Sequence, residues 1–285
     1  MNTKQPSQKG ITFHRTFRLK RAAITQLLEV ALEYKLAGEE CPSPKAFREK
    51  TQLGTIYIEA MPRYAQITGL LDDDNCLTPF GEAVARNDLL QERKETQWLM
   101  HYHMCSPSSS SPDFWKETVL TYFLSGNTFT RATIEDFLST FVEKTEGRTL
   151  SARDTKTTAR IFLDTYTNED SLGSLGILEQ LDKNEYVVQS PEPPPLWAFA
   201  YALIDYWKTT YGEDRLTVNL DELTARGGLG SIFLMGGGRM NSYLQRLQRK
   251  GIVDIFIVSP PYQVVLQETD EQAILEQLYD EDDYF

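Results

Sequence analysis

The chain has 285 residues and a formal net charge of −12. With 41% apolar and 25% charged residues it has the composition of a globular protein, with material for one large domain or two to three small ones. No apolar run approaches the length of a bilayer span, which argues against a helical membrane protein. The polar N-terminus lacks the apolar core of a secretory signal, so a cytoplasmic location is expected.

The charge is unevenly spread. The first 28 residues hold Lys4, Lys9, Arg15, Arg18, Lys20 and Arg21 and no acid, whereas residues 268–285, ETDEQAILEQLYDEDDYF, hold eight acids and no base. Without that tail the chain is near balance, so its acidity does not exclude a nucleic-acid partner. The tail reads as a solvated or partner-binding segment, and DEDD at 280–283 as a solvated face rather than a metal set. Cys41, Cys76 and Cys105 are scattered and lack C-x-x-C spacing, so reduced thiols are expected.

In chain order, residues 43–85 read as helix, turn, helix and a short apolar segment. Ser43 is placed as an N-cap with Pro44 at the first helical position. Leu53-Gly54-Thr55 makes a turn, the next helix ends near Gly69, and Leu70-Leu71 leads into a turn at Asp72–Asn75. Thr55, Tyr57, Arg63 and Tyr64 are the candidate contact residues here. A helical insert is expected at about 88–145, interrupted by the Ser/Pro loop CSPSSSSPD at 105–113. In HYHMC (101–105) the two histidines point apart on a helix. Only His101 and Cys105 share a face and no second ligand pair is visible, so no metal site is assigned. Pro112-Asp113 with Asp154-Thr155-Lys156 follows the order of PD…D-x-K nucleases, but Asp154 sits where a helix cap is expected.

Residues 151–189 repeat the pattern. Ser151 with Asp154 forms a capping-box variant, and Asp182-Lys183-Asn184 turns into the strand Tyr186–Val188. The helix between carries Arg153, Lys156 and Arg160, interleaved with Thr155, Thr157 and Thr158, opposite an apolar side of Ile161, Phe162 and Tyr166. After the Pro-rich connector SPEPPPLW (190–197) comes a third copy at 216–267. Gly236-Gly237-Gly238 lack the Lys-Ser or Lys-Thr pair of a nucleotide phosphate loop. They open a helix whose apolar stripe is Met240, Tyr243, Leu244 and Leu247, stopped by Gly251. Free N–H groups at such a helix start attract phosphate. Its polar set is Arg239, Asn241, Ser242, Gln245, Arg246 and Arg249; Asn and Gln suit adenine and Arg suits guanine. Ile252–Val258 and Tyr262–Leu266, around Ser259-Pro260-Pro261, read as a hairpin.

Helix, turn, helix and hairpin describe a winged helix-turn-helix. The expected fold class is mainly α (α+β), with three winged-helix-like units, short β-hairpin wings and a helical insert. The expected divisions are 1–87, a basic N-terminal arm and first winged helix; 88–190, the insert and second winged helix; 191–267, the third; and 268–285, the acidic tail. The function expected from this pattern is DNA binding through Arg153, Lys156, Arg160, Arg239, Asn241, Gln245, Arg246 and Arg249. A non-catalytic protein–protein adaptor or a transcription regulator is the alternative, since winged helices serve both.

Several motifs in shared order also resemble one family. ITFHRTFRLKRAAI (11–24) is similar, through His14, Thr16 and Phe17, to the GHETF-like opening of the domain-of-unknown-function 4007 family. QWLMHYHMCS (97–106) resembles its W-L-x-H-W-H segment through Trp98, Leu99, His101 and His103, with Tyr102 for the second Trp. LTPFGEAV (77–84) resembles its L-T-P-x-G-E segment; the Thr-rich helix at 151–167 and LGSLGIL (172–178) match more loosely. The resemblance spans about residues 11–267. It implies a DNA-handling protein that works with other proteins of a phosphorothioation system in anti-phage defence or modification, in some members as a nicking endonuclease. His14, Thr16 and His101 are then the catalytic candidates. Nicking would call for Mg²⁺ or Mn²⁺; no other cofactor is indicated, and no membrane. Arg15 stands where the family usually has Glu, and Phe13 where it has Gly, which implies DNA binding without cutting if that Glu serves the chemistry.

Overall fold

The computed structural model describes residues 9–257, 260–267 and 270–279. An arm, residues 9–20, leads into α1 (Arg21–Ala37), which ends at Gly38 in the left-handed conformation. α2 (Pro44–Lys50) starts as expected, with Ser43 accepting the Ala46 N–H at 3.2 Å. α3 (Thr55–Ile67) follows and stops before Gly69. The short apolar segment after α3 forms a single bridge, Leu71 to Leu77. The Asp72 carboxylate accepts the N–H groups of Asp74 and Cys76 at 2.9 and 2.8 Å, so a side chain closes this turn in place of strand pairing. α4 (Pro79–Asn87) packs so tightly on that turn that a Cβ at Gly81 would meet the Leu70 carbonyl.

The same turn corrects the expectation for the cysteines. It brings Cys76 beside Cys41 in the α1–α2 loop, with Cα atoms 4.9 Å apart, and the two form a disulfide. Cys105 is free and buried.

Next come α5 (Lys94–Cys105), α6 (Asp113–Tyr122), β1 (Thr128–Thr130), α7 (Arg131–Glu146), α8 (Ala152–Thr167), β2 (Leu178–Asp182) and β3 (Glu185–Val188). β1 lies inside the stretch read as a helical insert, yet it pairs antiparallel with β3, Phe129 opposite Tyr186. Residues 113–146 therefore pack with the segment that follows them; α7 and α6 are in contact, as are α7 and α8. The third segment holds α9 (Leu196–Tyr211), β4 (Thr217–Asn219), α10 (Leu220–Thr224), α11 (Leu229–Ile232), α12 (Gly237–Arg249), β5 (Val253–Phe256) and β6 (Gln263–Leu266).

The sheets, ordered β1-β3-β2 and β4-β6-β5, share one topology. In both a helix is followed by a short strand, further helices and a hairpin, and the short strand pairs with the hairpin's second strand. The fold is α+β and mostly helical. One continuous apolar core runs from Ile11 to Leu278.

α13 (Glu271–Gln277) packs part of the acidic tail, read as a solvated or partner-binding segment, against the fold. Ile274, Leu275 and Leu278 are buried, and the helix packs on α4 and α9. The DEDD run at 280–283 lies outside the described residues. Among the described residues no helix is long and apolar enough to cross a membrane.

Candidate nucleic-acid interface

α12 divides as its sequence predicts. Met240, Tyr243, Leu244 and Leu247 are buried, and Arg239, Asn241, Ser242, Gln245, Gln248 and Arg249 are exposed. The helix carries no acid. Arg239 and Arg249 make no ion pair among the described residues, whereas Arg246 lies 5.5 Å over the Tyr243 ring. Gly236 is the N-cap and offers no side-chain cap. A Cβ at Gly236, Gly237 or Gly238 would meet nothing within 4 Å, so the fold itself does not require glycine there.

On α8 the predicted basic set separates. Arg153 and Lys156 are exposed. Arg160 is held internally: it pairs with Asp164 at 2.8 Å and donates to the Thr16 carbonyl at 3.4 Å. Thr155 and Thr158 are buried. On α3 only Thr55, of the four candidates, is exposed to solvent. Tyr57 packs against Phe17, ring centroids 4.3 Å apart; Arg63 donates to the Phe13 carbonyl at 3.4 Å; and the Tyr64 hydroxyl donates to the Phe17 carbonyl at 2.9 Å. These three side chains hold the arm.

The arm sits between α3 and α8. Phe13 is buried edge-on against Tyr64. The Thr16 N–H donates to His14 Nδ1 at 3.1 Å, so the ring proton sits on Nε2 and donates to Thr158 Oγ1 at 3.0 Å. Burial, aided by the Arg160 charge and opposed by Asp154, lowers the His14 pKa to about 4. The ring is neutral at neutral pH. Arg15 (φ 47°) and Thr16 (φ 79°) adopt left-handed backbone, a conformation that costs each about 1 kcal/mol or more. The Thr16–His14 bond closes this bend, and the side chains of Arg15 and Thr16 project from it into solvent.

Among the described residues, three of the N-terminal cations meet acidic partners within the fold. Lys9 pairs with Asp73 at 2.7 Å, Arg15 with Glu59 at 3.1 Å and Arg18 with Asp170 at 2.8 Å. Arg21 donates to the carbonyls of Gln91 and Glu169. Sequence reading finds the cations, but their acids lie 44 to 152 residues away.

His101 is fully buried with both nitrogens engaged. Nε2 donates to the Ile232 carbonyl at 2.8 Å and Nδ1 accepts from the Tyr166 hydroxyl at 3.0 Å. That hydroxyl accepts from Trp115 Nε1 at 3.0 Å. This chain of bonds ties α5 to α6, α8 and α11. Burial holds His101 at about 4, against the Ile232 hydrogen bond. Burial also raises the neighbouring Cys105 thiol well above its usual range. His103 stacks on Phe80 at 5.3 Å and fills the space a Cβ on Gly69 would need.

Of the three catalytic candidates, then, Thr16 is exposed, while His14 and His101 are buried in hydrogen-bonded positions. The carboxylates around the arm are also engaged. Glu59 pairs with Arg15, Asp164 with Arg160, and Asp154 accepts the Ser151 hydroxyl at 2.8 Å. Asp113 is exposed at the start of α6, 3.9 Å from Lys116. Among the described residues no group of three or more His, Cys, Asp or Glu side chains is set to hold a metal. These side chains do not build a cation site unaided.

Two solved structures share the fold. "Magnesium ion-bound SspB crystal structure" matches with a TM-score of 0.74 at 15% identity, and "SspB crystal structure" with 0.72 at 16%. Each comparison covers 98% of this chain and 89% of the other. No curated protein sequence matches. The family described as "Protein of unknown function (DUF4007)" matches residues 53–279. That span runs from the turn before α3 to the end of α13, and the chain belongs to the DUF4007 family.

Proposed function

We propose that this protein is a DNA-binding subunit of a phosphorothioation-linked modification or defence assembly, built from winged-helix units. The observation that carries this reading is α12, a surface helix with exposed arginine, asparagine and glutamine, no acid, and a glycine start that no side chain caps. It sits where a winged helix-turn-helix has its recognition helix, followed by a hairpin. α8 holds the equivalent place in the second segment and offers Arg153 and Lys156. The first segment has the helices but only a single bridge for a wing, and its α3 is turned to the arm. The phosphorothioation context rests on family membership and on the likeness of fold to SspB.

The test is a plasmid assay across a salt series, with and without Mg²⁺ or Mn²⁺, scored for both mobility shift and open circles. A DNA-binding subunit shifts the plasmid at low salt and releases it steeply as salt rises. Arg239→Ala and Arg249→Ala should each flatten the slope of log affinity against log salt by about one. Metal-dependent open circles would add nicking to binding. No shift at low salt would sink the DNA reading and leave a protein–protein adaptor.

A further inference from the structure

The hairpin after α12 differs from the one after α8. The tip of β2–β3 carries Asp182, Lys183 and Glu185, whereas residues 256–263, FIVSPPYQ, carry no charge. Phe256, Ile257 and Tyr262 are nonetheless 52%, 60% and 41% exposed. Single exposed apolar residues are ordinary; three on one hairpin tip are not. The ribbon that presents them is anchored. β6 pairs on both sides, Phe256 stands opposite Gln263, and the Leu220 N–H donates to the Tyr262 carbonyl at 2.9 Å.

The neighbourhood of the tip indicates its partner. Asn241, Gln245, Gln248 and Arg249 of α12 line one cleft of about 290 Å³ together with Ile255 and Ile257. Through Ile257 the tip continues the acid-free face of α12, while Phe256, two residues after Asp254, lies on the other face of the hairpin. β5 is an edge strand, and pairing with a second copy would bring two such basic helices together, which like charge opposes. A polyanion matches that face. With no cation at its tip, the hairpin cannot hold a phosphate by charge; its apolar side chains suit the stacked faces between base pairs.

We infer that Phe256, Ile257 and Tyr262 form an apolar wedge that enters duplex DNA beside the α12 footprint, unstacks a base step and bends the duplex. The inference rests on the DNA-binding reading of α12. It assigns the third segment a deforming role in addition to holding phosphate and reading base edges. Pyrimidine–purine steps, the easiest to open, are the expected targets.

The experiment uses the full chain at low salt with ~30-base-pair duplexes, each carrying one 2-aminopurine at a TA or CA step and a donor–acceptor dye pair at its ends. Binding is read separately by anisotropy. Expected for the wild type is a rise in 2-aminopurine fluorescence of about twofold or more at a subset of steps, with shortening of the end-to-end distance. Phe256→Ala/Ile257→Ala, at exposed positions, should abolish both signals and weaken binding by no more than about tenfold. Phe256→Leu/Ile257→Leu should retain them. Wild-type binding without unstacking or bending overturns the wedge and leaves the DNA reading intact. The wedge is overturned in the same way if the alanine pair keeps both signals, or if sedimentation shows a dimer that only the alanine pair loses. No binding at all overturns both.

Discussion

His14 and Thr158, 144 residues apart in sequence, meet at 3.0 Å between Nε2 and Oγ1. This bond fastens the arm to α8, and Tyr64 and Arg63 fasten it to α3. The arm is thereby a seam between the first and second segments. His14→Ala leaves the buried Thr158 hydroxyl without this partner and removes the closure of the strained Arg15–Thr16 bend. It should cost about 1–3 kcal/mol in urea unfolding and open the arm to trypsin at Arg15 and Arg18. Thr158→Val should act in the same direction. A double-mutant coupling energy near zero would refute the bond's role.

His101→Phe keeps a ring of similar size and removes both nitrogens. The Ile232 carbonyl loses its donor and the Tyr166 hydroxyl loses its acceptor, deep in the core. A loss of about 2–4 kcal/mol is expected in thermal or urea unfolding. The plasmid shift, measured well below the lowered Tm, should be unchanged. Loss of the shift in a still-folded variant would give His101 a part in the interface instead.

Burial depresses His14, His101 and His103 from 6.5 to about 4. Above pH 6.5 the folded and unfolded chains are both neutral at these rings, and stability does not change on their account. Between 6.5 and 4 the unfolded chain binds more protons, so stability falls as pH falls. Each ring contributes up to about 3 kcal/mol of loss by pH 4. Denaturant midpoints at pH 7.5 and 5 should differ clearly, and triple replacement of the histidines should flatten that difference. A midpoint independent of pH in this window would contradict the buried, neutral placement.

Cys41 and Cys76 close a loop with a sequence separation of 35. Closing a loop of that size stabilises the fold by about 3–4 kcal/mol in the chain-entropy account. Denatured without reductant, the protein should expose one labelable thiol, Cys105; after reduction it should expose three. Reduction should lower the Tm. Three thiols without reductant would show that the pair is open in the isolated protein.

Gly238→Ala separates folding from binding. No neighbour obstructs a Cβ there, and alanine favours helix over glycine by up to about 1 kcal/mol. The variant should be as stable as the parent or more so. If DNA backbone approaches this helix start, the added methyl should weaken the plasmid shift. Higher stability with undiminished binding would show that the approach lies elsewhere.

Legibility varied with the range of the cause. α12 could be read because its stripe, its glycine start and Gly251 are local signals within one helix. The caps at Ser43 and Ser151 were equally local. β1 and β4 could not be read, because three residues such as Thr128-Phe129-Thr130 show no periodicity; they become strands only by pairing with β3 and β6. α5 hid its histidines' role because it is buried almost all round, so no polar face marks one side from the other. The cations of the N-terminal arm are visible in the sequence but their partners are not, because Asp73, Glu59 and Asp170 come to them only through the tertiary fold. The disulfide was hidden for the same reason: cysteine spacing carries no information about a turn that folds back on a distant loop.

α13 has a consequence for the order of synthesis. Ile274, Leu275 and Leu278 cover apolar surface on α4 and α9, yet they leave the ribosome long after α4. Until then the first segment carries an uncovered patch during elongation, the state in which nascent chains attract chaperones or aggregate. A ribosome stalled before residue 271 should therefore hold a nascent chain whose earlier helices are formed but not sealed.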